Sequence, residues 1–536
     1  MDDPELPPRE RPKDALGYLA RYGNAAALVG VLALQGVLGA YLFHHDANWF
    51  IAPDDYQGYW YTSAVQDHGL PTLHERVPTD SPYHPVRPRG SILVDGESTI
   101  YQGLATFYLY LPFLLLGFKS IFLAPAFYGM VSTVFVYLIA GRLSRGPAPG
   151  IAAVLYGASA PLLFWSNFLF SNTAAMAVLL AAVYVSLLPL RTWRTTLAVA
   201  LFVLAGLVRA EFWVLSVLYL GAYGLVHWRR LGPRGIALAV AAGAVATVAV
   251  FALNHSVYGN LDLFASLGSQ EQGSAGVSLD EEYNPASALL GNFQVPRIAT
   301  TYATYAAATS LAFVLGPLAF LALGRGPPLA RWRAFAAGLG AGCLFILVVF
   351  GGKGFNTGGA DPISSSYVRY FLPVLAFLAV VAAVALSRQA LRRPLLGAAL
   401  VVLAVLPVTA AGLGVLMDPV AGLPHVEERA LGYRNLDESA RTLPPEAVVV
   451  GDLPGRIIAA RPVLSPQFLP KETRANETLR LSRLLEGQGH PVYLARGWSL
   501  ADTSGNHFAW FRNAGAALTL DPTGRFYRAS FNGTAG

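Results

Sequence analysis

The sequence predicts an all-α polytopic membrane protein of about 11 transmembrane helices, with a small C-terminal soluble α/β domain. Three observations predict that class. First, 54% of the 536 residues are hydrophobic and only 13% are charged, whereas a soluble domain carries about 25% charged residues. Second, apolar runs recur at close to the twenty or so residues that a bilayer core of roughly 30 Å requires. Third, the net charge of +6 is spread as short basic clusters between those runs. Such clusters set membrane topology; no nucleic-acid partner is expected from them.

Along the chain, residues 1–23 form a polar, proline-containing tail expected in the cytoplasm. The first apolar run, 24–43, is long for a signal-peptide core and no small-residue cleavage pattern follows it, so it is expected to stay as a helix. Further spans are expected near 121–141, 150–166, 173–190, 195–209, 211–227, 236–253, 300–323, 334–351, 367–386 and 395–416. The stretch 104–118 is short, aromatic and interrupted by Pro112, which reads as an interfacial or re-entrant helix. Turns after alternate spans are basic and free of Asp and Glu: Arg142/Arg145, Arg191/Arg194, Arg229/Arg230/Arg234, Arg325/Arg331/Arg333 and Arg388/Arg392/Arg393. The positive-inside rule places all five in the cytoplasm, and the acidic loops and C-terminal region on the opposite side of the cell membrane.

The membrane part, 24–416, then has three long outer segments, 44–120, 254–299 and 351–366. Loops of that length in a compact protein are usually functional. Beyond it, 417–536 contains two apolar strand-like runs, Ala447–Val450 and Pro491–Leu494, flanking a polar helical stretch, Thr473–Glu486. That pattern predicts an extracytoplasmic α/β domain. Cys343, the single cysteine, sits within an apolar run, so neither an intrachain disulfide nor a cysteine metal cluster is expected.

Chemistry is concentrated in four outer motifs. Asp54 and Asp55, within Pro53-Asp54-Asp55-Tyr56-Gln57-Gly58-Tyr59-Trp60, are adjacent carboxylates among aromatics. They suit a general base or a metal site, or else solvated acids in an interfacial aromatic belt. Arg209 and Glu211 are the only Arg, Lys, Asp or Glu between Arg194 and Arg229. Ionisable residues between spans are costly and point to function; the alternative is a local pair bracing a turn. Arg369, in Tyr367-Val368-Arg369-Tyr370, offers a fork of donors that matches phosphate oxygens, or snorkels to lipid headgroups. Asn254 to Asn260, including Tyr258, reads by itself as a helix exit with Gly259 as its stop. His68, His74 and His84 share the first outer segment with the acid pair and are of the type that binds a divalent metal, although their spacing matches no compact ligand motif. Phosphate-binding glycine loops, HExxH and GxSxG are absent.

In combination these motifs resemble the GT-C glycosyltransferases. Those are polytopic enzymes that take a sugar from a polyprenyl-phosphate carrier on the non-cytoplasmic face, among them protein O-mannosyltransferases and the aminoarabinose transferase of lipid A. The resemblance covers roughly residues 24–400. It rests on Asp54-Asp55 with Tyr59 after the first helix, on Gly69-Leu70-Pro71, and on Tyr101-Gln102-Gly103 leading to Gly117-Phe118. It continues through Arg209-Ala210-Glu211, Asn254–Asn260 and Arg369-Tyr370. Asp-Asp replaces the commoner Asp-Glu, Ala210 replaces a proline, and Tyr101-Gln102 stands where His-Pro or Tyr-Pro is usual, departures that bear on substrate more than on fold.

The resemblance implies transfer of a sugar from a polyprenyl-phosphate donor to a hydroxyl of a glycan, lipid or protein acceptor, with inversion. Asp54 or Asp55 would be the base, and Arg209 and Arg369 would bind the donor phosphate. Tyr59, Glu211, Asn254, Tyr258 and Tyr370 would support them. No organic cofactor is implied; a divalent metal is the one group the histidines leave open. Two rival readings are a secondary transporter and a non-catalytic cell-envelope assembly factor on the same fold. A transporter needs charged sites near the membrane midplane, which the spans lack apart from Arg209 and Glu211. The acid pair speaks against the assembly factor.

Overall fold

A backbone surrounded by lipid must satisfy its N–H and C=O groups within its own segment, so the apolar runs are expected to coil into helices, and they do. The computed structural model describes residues 15–51, 53–74, 77, 79–86, 91–94, 97–100, 103–209, 211–258, 295–323, 330–352, 363–451, 460–466, 469–470, 472–495 and 507–531. In chain order the first elements are α1 (Ala15–Leu38), α2 (Tyr41–His44), α3 (Pro53–His68), β1 (Thr72–Leu73), β2 (Ser91–Val94), β3 (Glu97–Ile100) and α4 (Ala105–Leu114). Next come α5 (Ala124–Leu143), α6 (Ala148–Gly157), α7 (Ala160–Trp165), α8 (Ser171–Ser186), α9 (Thr192–Val208) and α10 (Glu211–Tyr258). They are followed by α11 (Val295–Thr301), α12 (Ala312–Leu323), α13 (Ala330–Gly352), α14 (Ser366–Tyr370), α15 (Leu372–Arg392) and α16 (Pro394–Leu416). The last elements are α17 (Leu423–Arg441), β4 (Val448–Val450), β5 (Val463–Leu464), α18 (Arg474–Gly487), β6 (Val492–Ala495), α19 (His507–Asn513), β7 (Ala516–Leu520) and β8 (Phe526–Phe531).

Contacts divide the chain into two units. The first comprises Met1–Asp46, Gly103–Val250 and Asn284–Val426, and its described part is helical. By length and composition, four stretches of the described chain are able to cross a membrane: Phe118–Leu143, Arg229–Val257, Trp332–Gly352 and Leu372–Arg392. A fifth arises if Val295–Ala307 and Ala312–Leu323, bent by 117°, form one broken span. The remaining apolar stretches with described side chains, Tyr22–Leu38 and Val401–Leu416 among them, run to 10–17 residues.

Two breaks depart from the uninterrupted spans expected along this unit, and a third irregularity falls between two of those spans. The expected span 150–166 is two helices, α6 and α7, and Pro161 stands in the first turn of α7, where its missing N–H costs nothing. Between α11 and α12 the chain winds through a π-helical turn, Tyr302–Ala307, and Thr309 Oγ1 bonds back to the Tyr305 and Ala306 carbonyls at 2.8 and 2.9 Å. Within α10 the two expected spans are joined at Gly232, whose φ of +63° suits only a residue without Cβ, and Pro233 follows. Buried polar side chains tie the helices together: Gln35 Nε2 donates to Thr133 Oγ1 at 2.7 Å and to the Gly157 carbonyl at 2.9 Å.

The second unit comprises Ala47–Gln102, Phe251–Tyr283 and Glu427–Gly536. It holds α3, a small antiparallel sheet of order β1-β3-β2, and a five-stranded sheet of order β5-β4-β6-β8-β7. β4 runs parallel to β5 and β6, while β8 is antiparallel to both β6 and β7. Two residues of the first outer segment, Val77 and Val86, are 6% and 4% exposed and belong to the core of this sheet, with Leu464, Leu481 and Phe511. Ser465 N donates to the Pro85 carbonyl at 2.8 Å, and Arg480 grips Asp80 through Nη1 and Nη2 at 2.7 and 2.9 Å.

The hydrogen bond from Arg480 holds the Asp80 carboxyl below the usual carboxylate range. A depressed folded value means that the pair stabilises above the unfolded value of about 3.9 and stops doing so as pH falls through the folded one. Arg480 and Asp80 are 46% and 54% exposed, so water screens them. Arg480→Ala is expected to lower stability by less than about 1 kcal/mol near pH 7. Thermal unfolding should show that difference shrinking below about pH 4 and in high salt.

Candidate active site

α9 stops at Val208 because Arg209 adopts an extended backbone (φ −150°, ψ 129°), and α10 starts at Glu211. The turn between them is braced from the first turn of α4 and the chain just ahead of it. Thr106 Oγ1 donates to the Val208 carbonyl at 3.2 Å. Gly103 lies so close to that carbonyl that a Cβ there would overlap it, so the approach requires glycine.

Arg209 is 5% exposed. Its Nε donates to Glu211 Oε1 at 2.5 Å, and Nη1 donates to Ser171 Oγ and to Asn172 Oδ1, both at 3.0 Å. Glu211 stands in the first turn of α10, where the helix dipole favours a carboxylate. Among the described residues, Arg209 Nη2 has no hydrogen-bond acceptor. A guanidinium has five N–H groups in a planar fork, so one edge of that fork is left over.

Arg369 reaches the same place from α14. Its guanidinium carbon lies 4.4 Å from the Phe170 ring centroid, 5.7 Å from that of Trp165 and 5.3 Å from that of Tyr370. The Arg209 guanidinium carbon is 5.2 Å from the same Tyr370 ring, and Tyr370 in turn stacks on Phe350 at 4.2 Å and 8°. Cation–π contacts of this kind hold each guanidinium over an aromatic face. Asn172 Nδ2 donates to the Arg369 carbonyl at 3.2 Å. The structure thus brings together Arg209, Glu211, Arg369 and Tyr370, four of the residues singled out in the sequence, with two positive groups converging on one tyrosine ring.

The other motifs lie in the second unit. Asp55, in the first turn of α3, is 1% exposed, and its Oδ2 accepts a hydrogen bond from Ile51 N at 3.2 Å. That bond ties the entering chain to the helix start, much as a capping box does. Asp54 is on the same turn, and its side chain lies outside the described residues. Tyr59 is half-buried, with its ring 5.6 Å from Phe50 and 5.5 Å from Trp60. Asn254 is buried near the end of α10. The helix continues to Tyr258, the residue before the expected stop; the Tyr258 side chain, Gly259 and Asn260 lie outside the described residues.

The three histidines do not assemble into a ligand set. His68 ends α3, His74 is exposed and faces Glu97 at 3.6 Å, and His84 sits in a turn at φ +43°. Among the described residues no three His, Cys, Asp or Glu side chains are placed to hold a metal ion. Sequence reasoning missed Ser171, Asn172, Trp165, Phe170 and Phe350. A usable signal was present: the Ser-Asn pair occurs twice in Trp165-Ser166-Asn167-Phe168-Leu169-Phe170-Ser171-Asn172, inside an otherwise apolar stretch.

No protein-family model and no curated protein matches the sequence, but solved structures match the fold. ArnT from Cupriavidus metallidurans bound to undecaprenyl phosphate, a GT-C protein, superposes on 96% of this chain and 98% of its own, with a TM-score of 0.55 at 16% identity. The chain has the GT-C fold. The archaeal oligosaccharyltransferase AglB from Archaeoglobus fulgidus, in complex with an inhibitory peptide and a dolichol-phosphate, shares that fold over 96% of this chain and 75% of its own, with a TM-score of 0.54 at 13% identity. The same oligosaccharyltransferase in complex with Zn and sulfate covers 93% of this chain at a TM-score of 0.55 and 14% identity. The GT-C resemblance read from short motifs thus agrees with the three-dimensional fold, at identities where the fold is all that the likeness carries.

Proposed function

We propose that this protein is a membrane glycosyltransferase that moves a sugar from a polyprenyl-phosphate-linked donor to an acceptor hydroxyl on the non-cytoplasmic face. The observation that carries the reading is the convergence of Arg209 and Arg369 on Tyr370, with the Nη2 edge of Arg209 left for a ligand. Convergent guanidinium forks match the oxygens of a phosphodiester. The polyprenyl phosphates bound in the ArnT and AglB structures support the same donor class. In this reading the N-terminus is cytoplasmic, 24–416 form the membrane domain, and 417–536 an extracytoplasmic domain. The acceptor is a glycan, lipid or protein hydroxyl.

The chemistry follows from charge. As the bond between the anomeric carbon and the donor phosphate oxygen breaks, negative charge grows on the departing polyprenyl phosphate. Arg209 and Arg369 stabilise that charge, and preorganised donors in a site screened from water are the most effective way to do so. The acceptor oxygen forms the new bond to the anomeric carbon as Asp54 takes its proton. Direct displacement inverts the anomeric configuration. Asp55 is a positioning residue through its bond to Ile51 N, which leaves Asp54 as the base.

The test is release of free polyprenyl phosphate by the full chain in lipid nanodiscs, given a panel of polyprenyl-phosphate sugars and acceptors. Asp54→Asn is expected to lower kcat by about 10²- to 10⁴-fold. Asp55→Asn, whose amide oxygen still accepts from Ile51 N, is expected to stay within about tenfold of the parent. The reverse ranking would exchange their roles, and full activity in both variants would sink the base assignment.

A further inference from the structure

We infer that Asn172 is the positioning residue that sets the two phosphate-binding arginines in register, and that the site requires an amide there. This inference rests on the donor-phosphate reading above. Asn172 is 2% exposed and uses both ends of its side chain within the cluster. Its Oδ1 accepts from Arg209 Nη1 at 3.0 Å, while its Nδ2 donates to the Arg369 carbonyl at 3.2 Å. One short side chain therefore bonds both residues that are to share a phosphate.

Arg209 shows what that bond does. Glu211 holds Nε, and Ser171 and Asn172 hold the two hydrogens of Nη1. With three donors fixed, the plane of the guanidinium is set and Nη2 is aimed in one direction. At the other end, the bond to the Arg369 carbonyl pins the final turn of α14, from which the Arg369 side chain departs toward Phe170 and Tyr370. A site of this kind tolerates little looseness: a misplacement of about 1 Å costs on the order of 10²-fold.

Each alternative side chain fails for its own reason. Alanine leaves an Arg209 N–H unsatisfied where water has little access, which costs more than the bond itself returns, and leaves the Arg369 carbonyl only its backbone N–H partner at the end of α14. Aspartate keeps an acceptor for Nη1 but sets a second carboxylate beside Arg209, in competition with the incoming phosphate. Its other oxygen has no hydrogen to give the Arg369 carbonyl unless it is protonated. Asparagine alone offers one acceptor and one donor without adding charge.

The experiment measures undecaprenyl phosphate affinity of the full chain in nanodiscs, between about pH 5 and pH 8, together with thermal unfolding. Asn172→Ala is expected to weaken affinity by about 10- to 100-fold, the scale of a lost hydrogen bond to a charged group. Asn172→Asp, of nearly the same size, should be at least as weak throughout that range, because Arg209 beside it keeps the introduced carboxyl ionised, and without a matching fall in unfolding temperature. Affinity in Asn172→Asp equal to the parent at every pH would overturn the inference. So would losses that simply follow a lower unfolding temperature in both variants, since Asn172 would then be a packing residue. Arg209→Ala and Arg369→Ala serve as controls. If they lose affinity while the Asn172 variants do not, only this inference fails; if they too bind normally, the donor-phosphate reading fails with it.

Discussion

Arg209→Ala is expected to remove donor-dependent transfer almost entirely, with kcat/KM falling by about 10³-fold, the upper end of what one lost transition-state donor costs. It is also expected to destabilise the fold by up to about 3 kcal/mol, because it leaves the Glu211 carboxylate, 13% exposed, without its partner. The two effects are separable. Arg209→Ala combined with Glu211→Ala removes the orphaned acid and should recover most of the stability without restoring transfer. Arg209→Lys keeps a positive charge but loses the planar fork that Ser171, Asn172 and Glu211 hold, and should lie between parent and alanine. Release of polyprenyl phosphate beside thermal unfolding, on all four proteins, gives the comparison. Transfer that returns with stability in the double variant would reduce Arg209 to a brace for its turn.

Gly103→Ala is expected to cost nearly as much, although glycine has no functional group to lose. The added Cβ meets the Val208 carbonyl, which is backbone and cannot swing aside as a side chain would. Relief requires the chain before α4 to part from the end of α9, which also stretches the Thr106 bond to the same carbonyl. Overpacking of this kind costs about 1–3 kcal/mol. The larger consequence falls on the next residue, since Arg209 follows Val208 directly. Transfer should drop by about 10²-fold, out of proportion to the change in unfolding temperature. Activity that falls only as far as stability does would show that the turn tolerates the shift.

The helices were legible in the sequence because lipid imposes a single rule on the backbone, and apolar runs of the right length obey it. Arg209 and Glu211 stood out for the same reason, as charges between spans with no inexpensive role. What the sequence concealed was the set of neighbours around them. Ser171 and Asn172 are small polar residues at the start of α8, and nothing local tells whether they face lipid, a neighbouring helix or an arginine 37 residues away. The breaks at α6–α7 and α11–α12 were equally hidden, because Ser159 and Ser310 interrupt runs whose overall hydropathy stays high. Two adjacent aspartates cannot be told apart by sequence; in the structure Asp55 accepts a hydrogen bond from Ile51 N, while the Asp54 side chain lies outside the described residues. The spacing of the histidines already matched no compact ligand motif, and sharing a segment does not place three side chains at one point.

The insertion of Val77, Pro85 and Val86 into the five-stranded sheet bears on how the protein is made. Asp80 and Arg480 are 400 residues apart in the chain. At about 5–20 residues per second, the ribosome needs roughly 20–80 s to supply the second partner after the first. Throughout that interval the segment around Val77 and Val86 waits with its apolar side chains uncovered. The five-stranded sheet, for its part, would lack two of its core residues if produced without the beginning of the chain. The segment is therefore covered only once the end of the chain has been made, and a prematurely terminated chain leaves Val77 and Val86 without Leu464, Leu481 and Phe511.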